Sequence, residues 1–137
     1  MIRVLIADDH DFVRSALGDL LAATDDICVV AECPDGCDVV ETSARTAPDV
    51  VLMDLAMPVM GGLEATAALR AAQPEVRVIV LTGSLNAAAA RQAHTLGVCG
   101  FLLKTDAADT LPGHIRAVAA GGTAWNPTAA EVVAQGR

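Results

Sequence analysis

At 137 residues, with 53% hydrophobic and 2% aromatic residues, the chain is long enough for one domain whose core rests on alanine and branched aliphatics, without disulfides or a structural metal. Its formal net charge of −8 comes from nine Lys plus Arg against seventeen Asp plus Glu, and the scattered basic residues exclude a surface that tracks a phosphate backbone. No apolar stretch reaches bilayer length and the N-terminus enters a strand-like run without a signal-peptide pattern, so a cytoplasmic protein without membrane attachment is expected.

In chain order, a short apolar run is followed by a helical spacing, five times over. The runs are 2–7, 27–32, 49–54, 77–82 and 100–104, rich in Val, Ile and Leu and nearly unbroken, which is the pattern of strands covered on both faces. The first helical segment carries a stripe of Phe12, Val13, Ala16, Leu17, Leu20 and Leu21. Cys28 and Cys99 lie in apolar stretches and read as small buried hydrophobes. Cys33 and Cys37 flank a Pro34-Asp35-Gly36 turn with no second Cys or His pair at zinc spacing. A helix over Gly62 to Ala72 carries Leu63, Ala67 and Leu69, and one over Asn86 to Leu96 has an asparagine N-cap with Gly97 past its end. Pro112-Gly113 falls inside the helix expected after 104. A mid-helix proline costs about 3 kcal/mol and a glycine about 1 relative to alanine, so that helix starts near Pro112 or kinks there. Beyond Gly121-Gly122, Pro127 to Val133 reads as the opening of another helix. The alternation implies right-handed crossovers and helices on both sheet faces, a three-layer α/β sandwich.

Four of these runs end in polar groups that phosphoryl chemistry uses: Asp8-Asp9 after the first, Asp54 after the third, Thr82 after the fourth, and Lys104, the only lysine, after the fifth. Open parallel sheets bind ligands along the edge formed by strand C-termini. Mg²⁺ takes octahedral oxygen ligands and keeps several waters, so two or three carboxylates plus a phosphate oxygen suffice. A free Asp54 oxygen would attack phosphorus to form an acyl phosphate. Thr82 would donate to one phosphoryl oxygen and Lys104 would neutralise another. Taken singly, each has an ordinary alternative: an acidic pair at a turn, a threonine at a strand end, a lysine reaching solvent. Asp54 is harder to set aside, because it ends a hydrophobic run just before Met57-Pro58.

These residues resemble the receiver domain of a bacterial two-component response regulator. VLIADDH, VVLMDLAMPVMGG, VIVLTG and GVCGFLLK carry the resemblance, which covers residues 1–122. It implies a flavodoxin-like (βα)5 fold with a parallel five-stranded sheet of order 2-1-3-4-5. It also implies Asp54 as phosphoacceptor, Asp8 and Asp9 as the acidic metal pair, and the Ala56 carbonyl as a further Mg²⁺ ligand. Thr82 becomes the switch hydroxyl, Phe101 the switch aromatic and Lys104 the phosphate-pairing amine. DDHDFVR, with His10 and Arg14, and GFLLK followed by Thr105 are similar to receivers that precede a LuxR-type helix-turn-helix. Gly121-Gly122, Trp125 and Pro127 resemble the linker leading there, so residues 123–137 are expected to start a linker helix towards an absent output domain. His10 reads as a packing or capping residue rather than a ligand.

The resemblance implies a phosphorylation-dependent switch that controls transcription and is not an enzyme beyond its own phosphorylation and dephosphorylation. Its partners would be a sensor histidine kinase, a second copy on activation, and DNA only through the absent domain. Gly61 stands where the family caps a helix with Asp or Asn, which weakens that start by a few tenths of a kcal/mol. Ala56 offers no side-chain hydrogen bond, so sterics and Ser84 are expected to set the acyl-phosphate lifetime. Two rival readings stay open from the residues. One is a receiver-fold binding module working without phosphorylation. The other is a haloacid-dehalogenase-like phosphatase, whose D-x-D spacing is met by Asp9-His10-Asp11 but whose following Gly-Thr is replaced by Phe12-Val13.

Overall fold

The computed structural model describes residues 1–135. Strands β1 (Ile2–Ala7), β2 (Ile27–Cys33), β3 (Val50–Met53), β4 (Arg77–Thr82) and β5 (Gly100–Leu103) alternate with helices α1 (Asp11–Ala22), α2 (Val39–Thr46), α3 (Gly62–Ala72), α4 (Ala87–Thr95) and α5 (Ala107–Ala119). A short strand β6 (Ala124–Trp125) and helix α6 (Pro127–Gln135) follow. All strands pair in parallel, in the order β2-β1-β3-β4-β5-β6.

The period-2 geometry of the strands divides the core into two halves. Leu5, Ala7, Val51, Met53, Val78, Val80 and Phe101 face one side, where Val39 of α2, Leu69 of α3 and Ala90 of α4 cover them. Val4, Ile6, Val50, Leu52, Ile79 and Leu81 face the other, beneath Leu17 and Leu21 of α1 and Leu111, Ile115 and Val118 of α5. Every residue of β3 is buried, as an unbroken apolar run requires, whereas β2 lies at the sheet edge and is mostly half-exposed.

Three expectations need correction. The sheet has six strands, because Ala124 N donates to Cys99 O at 2.9 Å and Asn126 N to Phe101 O at 2.8 Å, covering the edge that β5 would otherwise present. Two residues are too few for a sequence pattern. Phe12 does not join the α1 stripe; it is 85% exposed. At 100° per residue it sits about 140° around the helix from Leu17. Of the two alternatives for α5, a start near Pro112 is ruled out, since the helix begins at Ala107 after a 3₁₀ turn over Lys104–Asp106 and continues past the proline. Leu111, Ile115 and Val118 are each 0% exposed, and burial worth about 1.5–3 kcal/mol per side chain outweighs the proline cost.

The remaining helix readings agree with the fold. Asn86 accepts from Ala89 N at 3.0 Å, and Gly61 at the α3 N-cap makes no side-chain cap bond. All four cysteines are free, with Cys33 buried and Cys37 exposed. α6 folds back onto α4, burying Ala129 and laying Val133 against the same half of the core.

Candidate functional site

The C-terminal ends of β1 and β3 are adjacent, and the ladder continues one residue past each. Asp8 N donates to Cys33 O at 3.0 Å and Asp54 N to Ala7 O at 2.9 Å, which fixes both backbones. The two carboxylates are therefore held side by side and nearly fully buried, Asp8 2% and Asp54 4% exposed. Lys104, directly after β5, reaches across to both, with Nζ 2.7 Å from Asp8 Oδ2 and 3.3 Å from Asp54 Oδ2.

Burial pushes the Asp54 carboxyl above the usual aspartate range; the Lys104 charge pulls it back and the Asp8 charge adds to the rise. For Lys104 burial works against the charge, but the bond to Asp8 and the charges of Asp54 and Asp8 outweigh it and hold the ammonium above its ordinary value. One half-buried cation between two buried carboxylates leaves one negative charge in excess.

Asp9 lies beside this pair, and its Oδ1 is buried without a hydrogen bond. His10 Nδ1 approaches that oxygen to 3.1 Å and Asp8 Oδ1 to 3.4 Å, the first approach lacking hydrogen-bond geometry. Ligand atoms of Asp8, Asp9, His10 and Asp54 all lie within 4.8 Å of one another. An orphaned buried carboxylate oxygen beside excess negative charge is what a divalent cation satisfies, and hard oxygen donors suit Mg²⁺. The residues fit the ion. His10 occupies the α1 N-cap position but makes no side-chain cap, and its side chain is 64% exposed, so the capping and packing reading fails; it stands at the rim of the acidic cluster. The cause lies beside it, where Asp8 Oδ1 accepts from His10 N at 2.8 Å and draws the turn towards the carboxylates.

Arg14 braces the turn from outside, donating to Asp8 O at 2.6 Å and pairing with Asp11 at 2.7 Å and Glu32 at 3.1 Å. Asp11 is thereby drawn outwards and its side chain is 91% exposed, so the Asp9-x-Asp11 pair does not converge on one point.

Thr82 and Ala56 line a neighbouring cleft of about 400 Å³ together with Leu55, Ser84 and Asn86. The Thr82 hydroxyl donates to Ser84 O at 3.2 Å. Phe101 is fully buried and stacks on Trp125, ring centres 5.7 Å apart and planes at 14°. His94 of α4 meets the indole ring edge-on at 6.0 Å.

The sequence reading missed two supports of the loop that follows Asp54. Gly62 lies so close to Asp54 that a Cβ there would fall 2.1 Å from the Asp54 carbonyl oxygen. The Asp35 carboxylate accepts backbone N–H groups from Val59 at 2.8 Å, Met60 at 2.9 Å and Cys37 at 3.1 Å. The only sequence signal for the second was Pro34-Asp35-Gly36, which reads as an ordinary turn.

Residues 4–116 match the response regulator receiver domain, and the chain belongs to that family. It is 36% identical over 127 residues to the transcriptional regulatory protein LnrK of Bacillus subtilis, covering 93% of this chain and 58% of that protein. It is 39% identical over 121 residues to LiaR of the same organism, covering 88% of this chain and 57% of LiaR. The chain thus spans somewhat more than half the length of these relatives. A two-component response regulator of the LuxR family from Aurantimonas sp. superimposes with a TM-score of 0.90 at 32% identity, covering 98% of this chain and 96% of that one. The response regulator domain of Thermotoga maritima CheB gives 0.82 at 30% identity, over 88% of this chain and 97% of that one. Receiver domains of this kind are signalling modules rather than metabolic enzymes, which sets aside the phosphatase reading. No helix among the described residues is long and apolar enough to cross a membrane.

Proposed function

We propose that this receiver takes a phosphoryl group from a sensor histidine kinase onto Asp54 and passes the change of state to a DNA-binding output domain. The observation that carries the reading is the Asp8–Lys104–Asp54 triad, its two carboxylates buried, beside the orphaned Asp9 oxygen. Asp8, Asp9, Asp54 and the Ala56 carbonyl would hold Mg²⁺, which supplies positive charge to offset repulsion between carboxylate and phosphoryl oxygens.

The Asp54 oxygen attacks phosphorus as the bond to the donor breaks, leaving an acyl phosphate and a departing donor group. Lys104, already 3.3 Å from Asp54, neutralises an oxygen of the incoming group. The Thr82 hydroxyl exchanges its weak bond to Ser84 O for a phosphoryl oxygen, and Phe101 on the adjacent strand adjusts to the space that Thr82 leaves. Because Phe101 stacks on Trp125, the change reaches β6 and α6 without an intervening element. The phosphoryl group must favour one of two states by a few kcal/mol for this to act as a switch. Pairing of two activated copies, and a cytoplasmic setting, belong to the same reading.

Incubation with Mg²⁺ and acetyl phosphate followed by intact mass measurement is expected to show one phosphoryl adduct per chain. The adduct should vanish in Asp54→Asn and on chelation of Mg²⁺. Fluorescence of Trp125, the only tryptophan, should change with the adduct. Absence of any adduct, with acetyl phosphate and with kinases, would favour a module that binds without phosphorylation.

A further inference from the structure

The loop from Leu55 to Gly61 carries Ala56, yet little in its own sequence explains why it holds one shape. Its near end is pinned where Gly62 N donates to Leu55 O at 2.9 Å, with Gly62 pressed against the Asp54 backbone. Met57 anchors one side chain in the core. Beyond it the loop turns outwards: Val59 is 79% exposed, and of the far half only Met60 packs against the core. What meets that half is Asp35, from the turn between β2 and α2 and itself 8% exposed.

We propose that Asp35 is a positioning residue for the cation and phosphoryl site, acting through the backbone of the 55–61 loop; the proposal rests on the reading of Asp54 and Ala56 given above. Its Oδ2 takes the Val59 N–H and its Oδ1 the Met60 and Cys37 N–H groups. The next residue closes a reciprocal bond, Gly36 N donating to Met60 O at 3.2 Å. The approach is close enough that a Cβ at residue 36 would lie 2.3 Å from Met60 O, so the clamp needs Asp followed by Gly. With both ends of the loop tied to backbone, the peptide planes between them lose freedom, and the Ala56 carbonyl among them is held ready for the ion. Three backbone donors also keep the carboxylate ionised, its pKa drawn down to about 2. Outer contacts of this kind tune metal affinity without touching the metal.

The test uses the full chain, ¹⁵N-labelled and titrated with Mg²⁺ alone. Asparagine at 35 keeps one acceptor oxygen for Met60 and Cys37 but sets an N–H₂ against the Val59 N–H. Asp35→Asn is expected to bind Mg²⁺ about tenfold more weakly, with Asp35→Ala weaker still. Val118→Ala, which opens a cavity on the opposite side of the sheet, should lower the melting temperature and leave Mg²⁺ affinity unchanged. In the wild type, the Val59 amide should exchange slowly with solvent despite its exposed side chain. Two results would overturn the proposal alone: a wild-type Val59 amide that exchanges freely, or a folded Asp35→Asn protein with wild-type Mg²⁺ affinity. A wild-type chain that takes up no Mg²⁺ would overturn the underlying reading of the site, and this proposal with it.

Discussion

Lys104 stands between Asp8 and Asp54, and the chain has no second lysine to take its place. Removing it strands two carboxylates in a site that is nearly closed to water. Lys104→Ala is therefore expected to destabilise the metal-free protein by about 2 kcal/mol, below the roughly 3–5 of a fully buried pair because the lysine side chain keeps 19% exposure. Urea unfolding in the presence of a chelator measures this, and added Mg²⁺ should recover part of the loss. Asp35 gives a prediction in pH. Its folded pKa of about 2 lies below the unfolded value of about 3.9, so its contribution is fully present above the unfolded value and is lost as pH falls towards 2. The melting-temperature gap between wild type and Asp35→Asn should thus be constant near neutrality and shrink below about pH 4. At this scale the strand-end carboxylates were legible, since a charge that closes an apolar run must be held by a partner or a ligand where the strand ends. Asp35 was not, because it bonds to backbone amides 24 and 25 residues away, and backbone amides carry no side-chain signature.

Helix α5 shows one element overruled by its packing. Local propensity places a start or a kink at Pro112, but Leu111, Ile115 and Val118 fall on one face at helical spacing and are all fully buried, and the helix begins before the proline. The proline costs the helix a hydrogen bond while the buried stripe holds it on the sheet. Pro112→Ala, which restores an N–H at that position, is expected to stabilise the fold by about 1–2 kcal/mol, the gain being reduced by the extra freedom of the unfolded chain. Chemical denaturation of the two proteins checks the sign. The bidentate pair of Arg116 with Asp26, at 2.8 and 2.9 Å, ties the same helix to the turn after α1. The five alternating strands and helices were readable because parallel strands covered on both faces give unbroken apolar runs. Strand β6 was not, since its two residues gain their place from the free edge of β5.

Over the whole molecule, the C-terminal segment is a working part of the sheet rather than an appendage. β6 extends the sheet, Asn126 caps α6 by accepting from Thr128 N and Ala129 N, and α6 covers α4. Trp125 lies at the junction and shields Phe101. Trp125→Ala is expected to cost about 2 kcal/mol, counting the partial burial of the indole and the lost ring stack, and to increase exchange of the β5 edge amides. Hydrogen exchange alongside thermal melting would separate the two effects. The placement puts Phe101, the aromatic to which the proposed function gives the switch role, in direct contact with β6.

The amino-acid sequence alone determined which polar groups close the strands, and so the groups on which the proposed chemistry rests. Two carboxylates, a third, a hydroxyl and an amine each close an apolar run, and side-chain type with hydrophobic period is what a sequence encodes directly. Only the tertiary structure decided how those groups are held: that Lys104 bridges Asp8 and Asp54, that Arg14 draws Asp11 away from the site, and that Asp35 clamps the 55–61 loop. These are pairings between distant segments, some of them with backbone atoms common to every residue, so their partners are chosen by the packing of the sheet and not by any local pattern.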